Sequence, residues 1–321
     1  MDLEGEGRAA AGPEALNKIY LDTARLLTQV APLVFVDDAF ALKGGTAINL
    51  FVRDMPRLSV DLDLVFVDHR LGREEALAKI NGLVKNAAER LKKRGFQIHV
   101  ASAVDAGETK LFVKRDKLQV KVEVNFVLRG TVQPVKLQSL SAKAKEVLQA
   151  DLELPVVSFE DLYGGKLVAA LDRQHPRDLF DVMELFRYEG VTPDVRRGFV
   201  VYLASHNRPM HEVLAPTLRD ISAEYKGTFE GMTTEPVELK ALLGARERLI
   251  AELRSGLDSD ERAFLLSLAR NQPDWKRLGV AHAAELPGLL WKLENLGKLA
   301  KANPKKLEAQ AGDLERVLRK N

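Results

Sequence analysis

The sequence predicts an α+β chain, a strand-and-helix first half followed by a helical second half. Three observations predict it. Residues 41–67 read as a short strand, a tight Gly-Gly turn, a helix start, a loop and a second strand bearing two carboxylates. Residues 118–128 alternate apolar and polar side chains as a half-buried strand does. From residue 158 onward the apolar spacing is helical in one segment after another.

Taken in order, residues 1–14 are acidic and small, with no apolar run; they are expected to form a flexible N-terminus and do not read as a signal peptide. Segment 13–30 places Leu16, Ile19, Tyr20, Ala24, Leu27 and Val30 at helical spacing. Residues 35–43 lead into the first strand. Gly44 and Gly45 let the backbone turn sharply and approach a ligand. Thr46 is expected to cap a helix over 47–52, whose free N–H groups suit a phosphate. Asp54-Met55-Pro56-Arg57 stops that helix. Asp61 and Asp63, two apart on a strand, leave by the same face and repel each other unless a cation lies between them. Hard cations such as Mg²⁺ take oxygen ligands, so a phosphate-binding turn beside an Asp pair points to phosphoryl or nucleotidyl chemistry. The alternative, two acids capping a surface loop, fits poorly with flanking Leu62, Leu64, Val65, Phe66 and Val67, because unpaired carboxylates are costly in a buried strand.

Residues 73–94 carry Leu77, Ile80, Leu83, Val84, Ala87 and Leu91 along one side of a helix that Gly95 ends. A strand over 96–104 is followed by a hairpin of 111–114 and 118–128 around Arg115-Asp116-Lys117. On the last strand Glu123 lies on the polar face, where alternation alone would put a solvent-facing acid. Ser158-Phe159-Glu160-Asp161 fits a capping box at the start of a helix over 162–173, on which Lys166 and Arg173 share a face. Gln174-His175-Pro176 breaks it, and a second helix runs over 176–188 to Gly190. In one straight helix Lys166 and Asp181 would lie about 22 Å apart. The break at Pro176 lets Lys166, Arg173, Arg177 and Asp181 converge; otherwise Arg177, Asp178 and Asp181 make surface pairs worth tenths of a kcal/mol.

Segments 195–204, 210–214, 236–255, 259–271, 287–301 and 304–320 all read as helices. Leu289, Leu293, Leu296 and Leu299 recur as core positions around Trp291. Lys292, Lys298, Lys301, Lys305 and Lys306, with acids between them, read as a solvated face rather than an RNA-facing patch. His206 and His211 have no metal spacing. The expected division is a core over 15–152 and a helical domain over 153–321 that completes the active site.

Composition bounds the rest. The chain has 321 residues, 46% hydrophobic and 29% charged, as a globular protein does. No run reaches the roughly 18 apolar residues of a membrane span. Cysteine is absent, which excludes disulfides, a thiol nucleophile and cysteine-bound zinc, and leaves a cytoplasmic location as the expectation. Net charge +2 permits a nucleic-acid partner without requiring one.

Gly44-Gly45-Thr46 followed by Arg57-x-Ser59-x-Asp61-x-Asp63 resembles the polymerase-beta-like nucleotidyltransferases. With Lys166 and then Arg173-x-x-x-Arg177-Asp178-x-x-Asp181, the chain resembles more narrowly the AbiEii/AbiGii family, nucleotidyltransferase toxins of bacterial toxin–antitoxin and abortive-infection systems. The resemblance is specific over these two motifs and loose through the helical half. It implies a mixed sheet with flanking helices, a helical C-terminal domain, and a cleft between them. It also implies that Asp61 and Asp63 hold Mg²⁺ with Glu123 as a third ligand. An NTP would lie at Gly44, Gly45, Thr46, Arg57, Ser59, Arg173 and Arg177, with Lys166 stabilising phosphate charge and Asp181 as a catalytic or nucleotide-positioning carboxylate. The implied reaction is NMP transfer to the 3′ end of tRNA, blocking translation and growth, and the implied partner is a cognate antitoxin protein. The Asp pair by itself leaves open a protein or small-molecule acceptor, or a degenerate module that only binds nucleotide.

Overall fold

The computed structural model describes residues 18–103 and 108–319. The expected flexible segment 1–14 lies outside them. The chain enters through α1 (Lys18–Val34), which buries Ala24, Leu27, Val30 and Ala31 and runs past its predicted end through Pro32. Then come β1 (Phe40–Lys43), the short α2 (Gly44–Thr46) continuing as a π-helical turn over Ala47–Val52, and β2 (Asp61–Phe66). They are followed by α3 (Arg73–Lys93), β3 (Gln97–Ala103), β4 (Glu108–Arg115), β5 (Leu118–Asn125), β6 (Lys136–Ser139), α4 (Ala142–Leu148) and β7 (Glu153–Val156).

Among the described residues seven strands form one mixed sheet in the order β3-β4-β5-β2-β1-β7-β6. β2 runs antiparallel to β1 and parallel to β5. The register matters for chemistry. Lys43 stands opposite Asp63, Asp63 opposite Glu123, and Glu123 opposite Lys110. Directly opposed residues share a face, so two carboxylates lie in one row with a lysine at each end. Asp61 opposes Lys121 one step along.

β6, α4 and β7 were not among the predicted elements; each strand has four residues, too few to display a period. β7 pairs in parallel with β1, so the sheet extends past the expected boundary at 152/153.

The helical half consists of α5 (Phe159–Arg173), α6 (Pro176–Tyr188), α7 (Pro193–Ala204), α8 (Met210–Leu214), α9 (Ser222–Thr228), α10 (Leu239–Gly256), α11 (Ser259–Ala269), α12 (Pro287–Ala302) and α13 (Pro304–Arg319). α9 escaped the sequence because it buries none of its residues and so has no apolar stripe. The α5–α7 crossing is set by small residues. A Cβ on Gly164 would lie 2.6 Å from the carbonyl carbon of Gly198, so the two helices meet backbone to backbone.

Lys292 departs from its expected place on a solvated face. It is buried, and its Nζ donates to the carbonyls of His206 and Arg208 at 2.8 Å each; burial pulls its pKa down to about 8. Among the described residues no helix is long and apolar enough to cross a membrane.

Candidate active site

The turn after β1 is shaped by what presses on it from β2 and the loop before it. Gly44 has φ +75°, and a Cβ there would lie 2.3 Å from Asp63 Oδ2. At Gly45 a Cβ would lie 2.8 Å from Arg57 Nη2. The first glycine is needed for a left-handed backbone against a carboxylate, the second for the close approach of a guanidinium.

Thr46 does not cap the helix as expected. It lies inside α2, wholly buried, because its hydroxyl has a stronger claim elsewhere: it donates to the Asp61 carbonyl and lies 2.9 Å from Ser59 Oγ. These bonds tie the turn to the start of β2.

Asp61, Asp63 and Glu123 share one face of β2 and β5 by the pairing above. Burial raises the pKa of Asp61. Lys121 and Arg177 pull it down, while Asp63 and Glu123 push it up further. Lys121 Nζ lies 2.9 Å from Glu123 Oε2 and 3.9 Å from Asp61 Oδ2. Oxygen-only donors are the chemistry a hard divalent cation requires, so the Asp61–Asp63 pair fits Mg²⁺. Among the described residues no three acidic or histidine side chains already form a ligand cage, and Glu123 is engaged by Lys121.

Lys43 was missed by sequence reasoning. It ends β1 opposite Asp63 and lines the same cleft. Burial lowers its pKa, and the charges of Asp63 and Glu123 partly restore it. The signal was one charged residue in Phe-Ala-Leu-Lys immediately before the glycines, but its partner follows from an inter-strand register that the sequence does not display.

The second cluster comes from the α5–α6 reversal. Gln174 turns the chain at φ +54°, and His175 caps α6 by accepting from the Arg177 N–H. The reversal brings Lys166 Nζ to 2.8 Å from Asp178 Oδ1 and 2.9 Å from Asp181 Oδ2. Arg57 reaches Asp181 with two parallel bonds of 2.8 and 2.7 Å, and Asn49 donates to the same carboxylate at 3.0 Å. Arg173 donates to Asp178 Oδ2 at 2.8 Å. Asp178 and Asp181 are 3% and 1% exposed, so these are not surface pairs. Burial opposes their ionisation, but Lys166 and Arg173 hold Asp178 well below the usual carboxylate range, and Arg57 and Lys166 hold Asp181 below it. Three cations thus meet two carboxylates, leaving net positive charge in the wall.

One cleft of about 320 Å³ collects Gly44, Gly45, Asp63, Glu123, Lys166 and Arg173, with Lys43. Thr46, Arg57, Ser59 and Asp181 are buried beneath its floor. Arg177 lies near enough to Asp61 to act on its charge. The far end, also missed, is lined by Asp161, Asp172, Tyr202 and His206. Asp161 explains a partial departure at the predicted capping box. Ser158 Oγ does accept from its N–H, but the Asp161 carboxylate takes the N–H groups of Val132 and Gln133 and the hydroxyls of Tyr202 and Ser158. It fastens the loop after β5 to α5.

The mixed sheet with its flanking helices, carrying the glycine turn and the acidic strand beside one cleft, is the frame of a nucleotidyltransferase. The chain belongs to the AbiEii family of nucleotidyltransferase toxins of type IV toxin–antitoxin systems, whose family model matches residues 25–295. In structure it is similar to MenT4, a nucleotidyltransferase toxin from Mycobacterium tuberculosis H37Rv, at 20% identity and TM-score 0.57, over 88% of this chain and 99% of that one. No curated protein matches it by sequence.

Proposed function

We propose that the enzyme transfers NMP from an NTP to the 3′ end of an RNA acceptor, tRNA, and that this transfer blocks translation and growth until a cognate antitoxin restrains it. The observation that carries the reading is the one cleft in which Asp63 and Glu123 meet Lys43, Lys166 and Arg173 beside the glycine turn, with Asp61 two residues before Asp63 on the same strand. Asp61 and Asp63 would hold Mg²⁺, with Glu123 joining them once Lys121 moves aside; the bound metal supplies Lewis acidity toward phosphate oxygens. The Gly44–Gly45 backbone gives the triphosphate room to approach. Lys43, Lys166 and Arg173 neutralise charge that grows on it during transfer. The acceptor 3′ hydroxyl gives up its proton to solvent as its oxygen forms a bond to the α-phosphorus, the bond from that phosphorus to the bridging oxygen breaks, and pyrophosphate leaves. Asp181 acts through others: it holds Arg57 against the turn and fixes the Lys166 ammonium, so it is a positioning residue.

The test is transfer of α-labelled NTPs, each of the four separately, to total bacterial RNA with Mg²⁺ or with EDTA, using wild type and Asp63→Ala. Label at tRNA size that disappears in the variant and in EDTA is the expected result. Label in protein, or none in RNA with any NTP, overturns the acceptor assignment.

A further inference from the structure

A second pocket, of about 500 Å³, opens beyond the C-terminal ends of β2 and β5, between the segment before α3 and the start of α12. Arg129 lines it and is only 6% exposed, yet its Nε and Nη1 meet no hydrogen-bond acceptor. A buried guanidinium with unused donors is costly to keep unless something comes to them. Burial and the neighbouring charge of Arg73 press its pKa down, but a guanidinium stays charged regardless.

Two further features favour an anion. Arg70 and Arg73 line the same pocket. Arg73 also begins α3, a 21-residue helix whose N-cap, Gly72, makes no side-chain cap, so its first N–H groups and its dipole face outward. Of the acids nearby, Glu294 pairs with Lys298 at 2.6 Å and Asp68 lies 3.8 Å from Arg70 and acts on Arg129, while Glu285 lies 3.6 Å from His69, a contact that is ionic only when the imidazole is protonated. Trp291 adds an aromatic face.

We propose that this pocket binds phosphate, and that the phosphate it takes is a backbone phosphate of the acceptor strand. The second half of that statement rests on the RNA reading above; the first does not. Its position fits. Leu128 lines the catalytic cleft while Val127 and Arg129 line this pocket, so one bent segment, held by Asn125 Oδ1 accepting from the Val127 and Leu128 N–H groups, divides the two. Along β2, Phe66 lies three residues beyond Asp63, about 10 Å at strand rise. A strand with its 3′ end in the cleft would cross Leu128 and present an earlier phosphate to Arg129, with a base against Trp291.

The experiment uses the full chain and two probes. Inorganic phosphate is tested by thermal shift against chloride at equal ionic strength. A single-stranded RNA ending in a 3′-deoxynucleotide is tested by anisotropy across a salt series. Wild type is compared with Arg129→Met and with the exposed Arg73→Gln, which keeps the test valid if the first variant folds poorly. Expected are a phosphate-dependent rise in Tm that Arg129→Met abolishes, and about 10-fold weaker RNA binding in each variant. The log–log salt slope should flatten by about 0.7 for each RNA phosphate that the variant no longer neutralises, with KM for NTP unchanged. A phosphate shift abolished in Arg129→Met, with no RNA bound by wild type, keeps the phosphate site and removes the acceptor reading. Wild-type behaviour of both variants toward both probes overturns the proposal.

Discussion

Gly44→Ala separates two demands on one residue, with Gly95→Ala as the comparison. Both glycines are left-handed, at φ +75° and +82°, so an added Cβ costs each about 1–2 kcal/mol of stability. At Gly95 the new methyl meets nothing within 4 Å. At Gly44 it lies 2.3 Å from Asp63 Oδ2, where ordinary contact begins at 3.4 Å. The carboxylate must therefore withdraw by the difference, about 1 Å. A misplacement of that size in a reacting group costs on the order of 100-fold in rate. Urea unfolding should show Gly95→Ala losing about 1–2 kcal/mol with kcat for NMP transfer intact. Gly44→Ala should lose at least as much stability and about 100-fold in kcat. Equal kcat in the two variants would refute the idea that the turn and Asp63 fix each other's position.

Four more outcomes follow from the same geometry. Asp181→Ala strands Arg57 in the interior, leaves Lys166 with Asp178 alone, and should cost about 3–5 kcal/mol in urea unfolding. Asp63→Ala removes one of several neighbouring acids, so transfer should vanish while Tm holds or rises. Because Asp178 and Asp181 have folded pKa values below their ordinary one, their stabilisation is complete above the unfolded carboxylate pKa and fades as pH falls through the lower folded values. Urea midpoints between pH 6 and pH 2 should show that loss, and Asp178→Asn should be weaker at neutral pH with a flatter acid limb. Gly164→Ala would place a methyl 2.6 Å from the Gly198 backbone and prise α5 from α7, at about 1–3 kcal/mol in the same measurement.

The sequence disclosed what local chemistry dictates. The Gly-Gly turn, the two acids on one strand face, and the Pro176 break each follow from a handful of adjacent residues. α6 is found where its Pro and Gly signals put it, between Pro176 and Tyr188. What stayed hidden depends on partners far along the chain. Lys43 joins the cleft through its register with Asp63, and Lys292 turns inward because two carbonyls of the α7–α8 connection await it. Thr46 abandoned the capping role for Ser59 and the Asp61 carbonyl, a tertiary claim overriding a local preference. Asp181 carries the right motif spacing, but only the fold shows that its carboxylate is enclosed by Arg57, Lys166 and Asn49.

The Arg57–Asp181 link spans 124 residues. A chain emerging from the ribosome displays the glycine turn and both strand acids long before α6 exists. Through that interval Arg57 has no carboxylate to hold it, and Lys166 has no anchor. The glycine turn and the strand acids are thus made early, while the carboxylate that braces them arrives only once synthesis has passed α6 and the closure of that long loop has been met. A chain interrupted before that point carries the turn without the carboxylate that holds Arg57 against it.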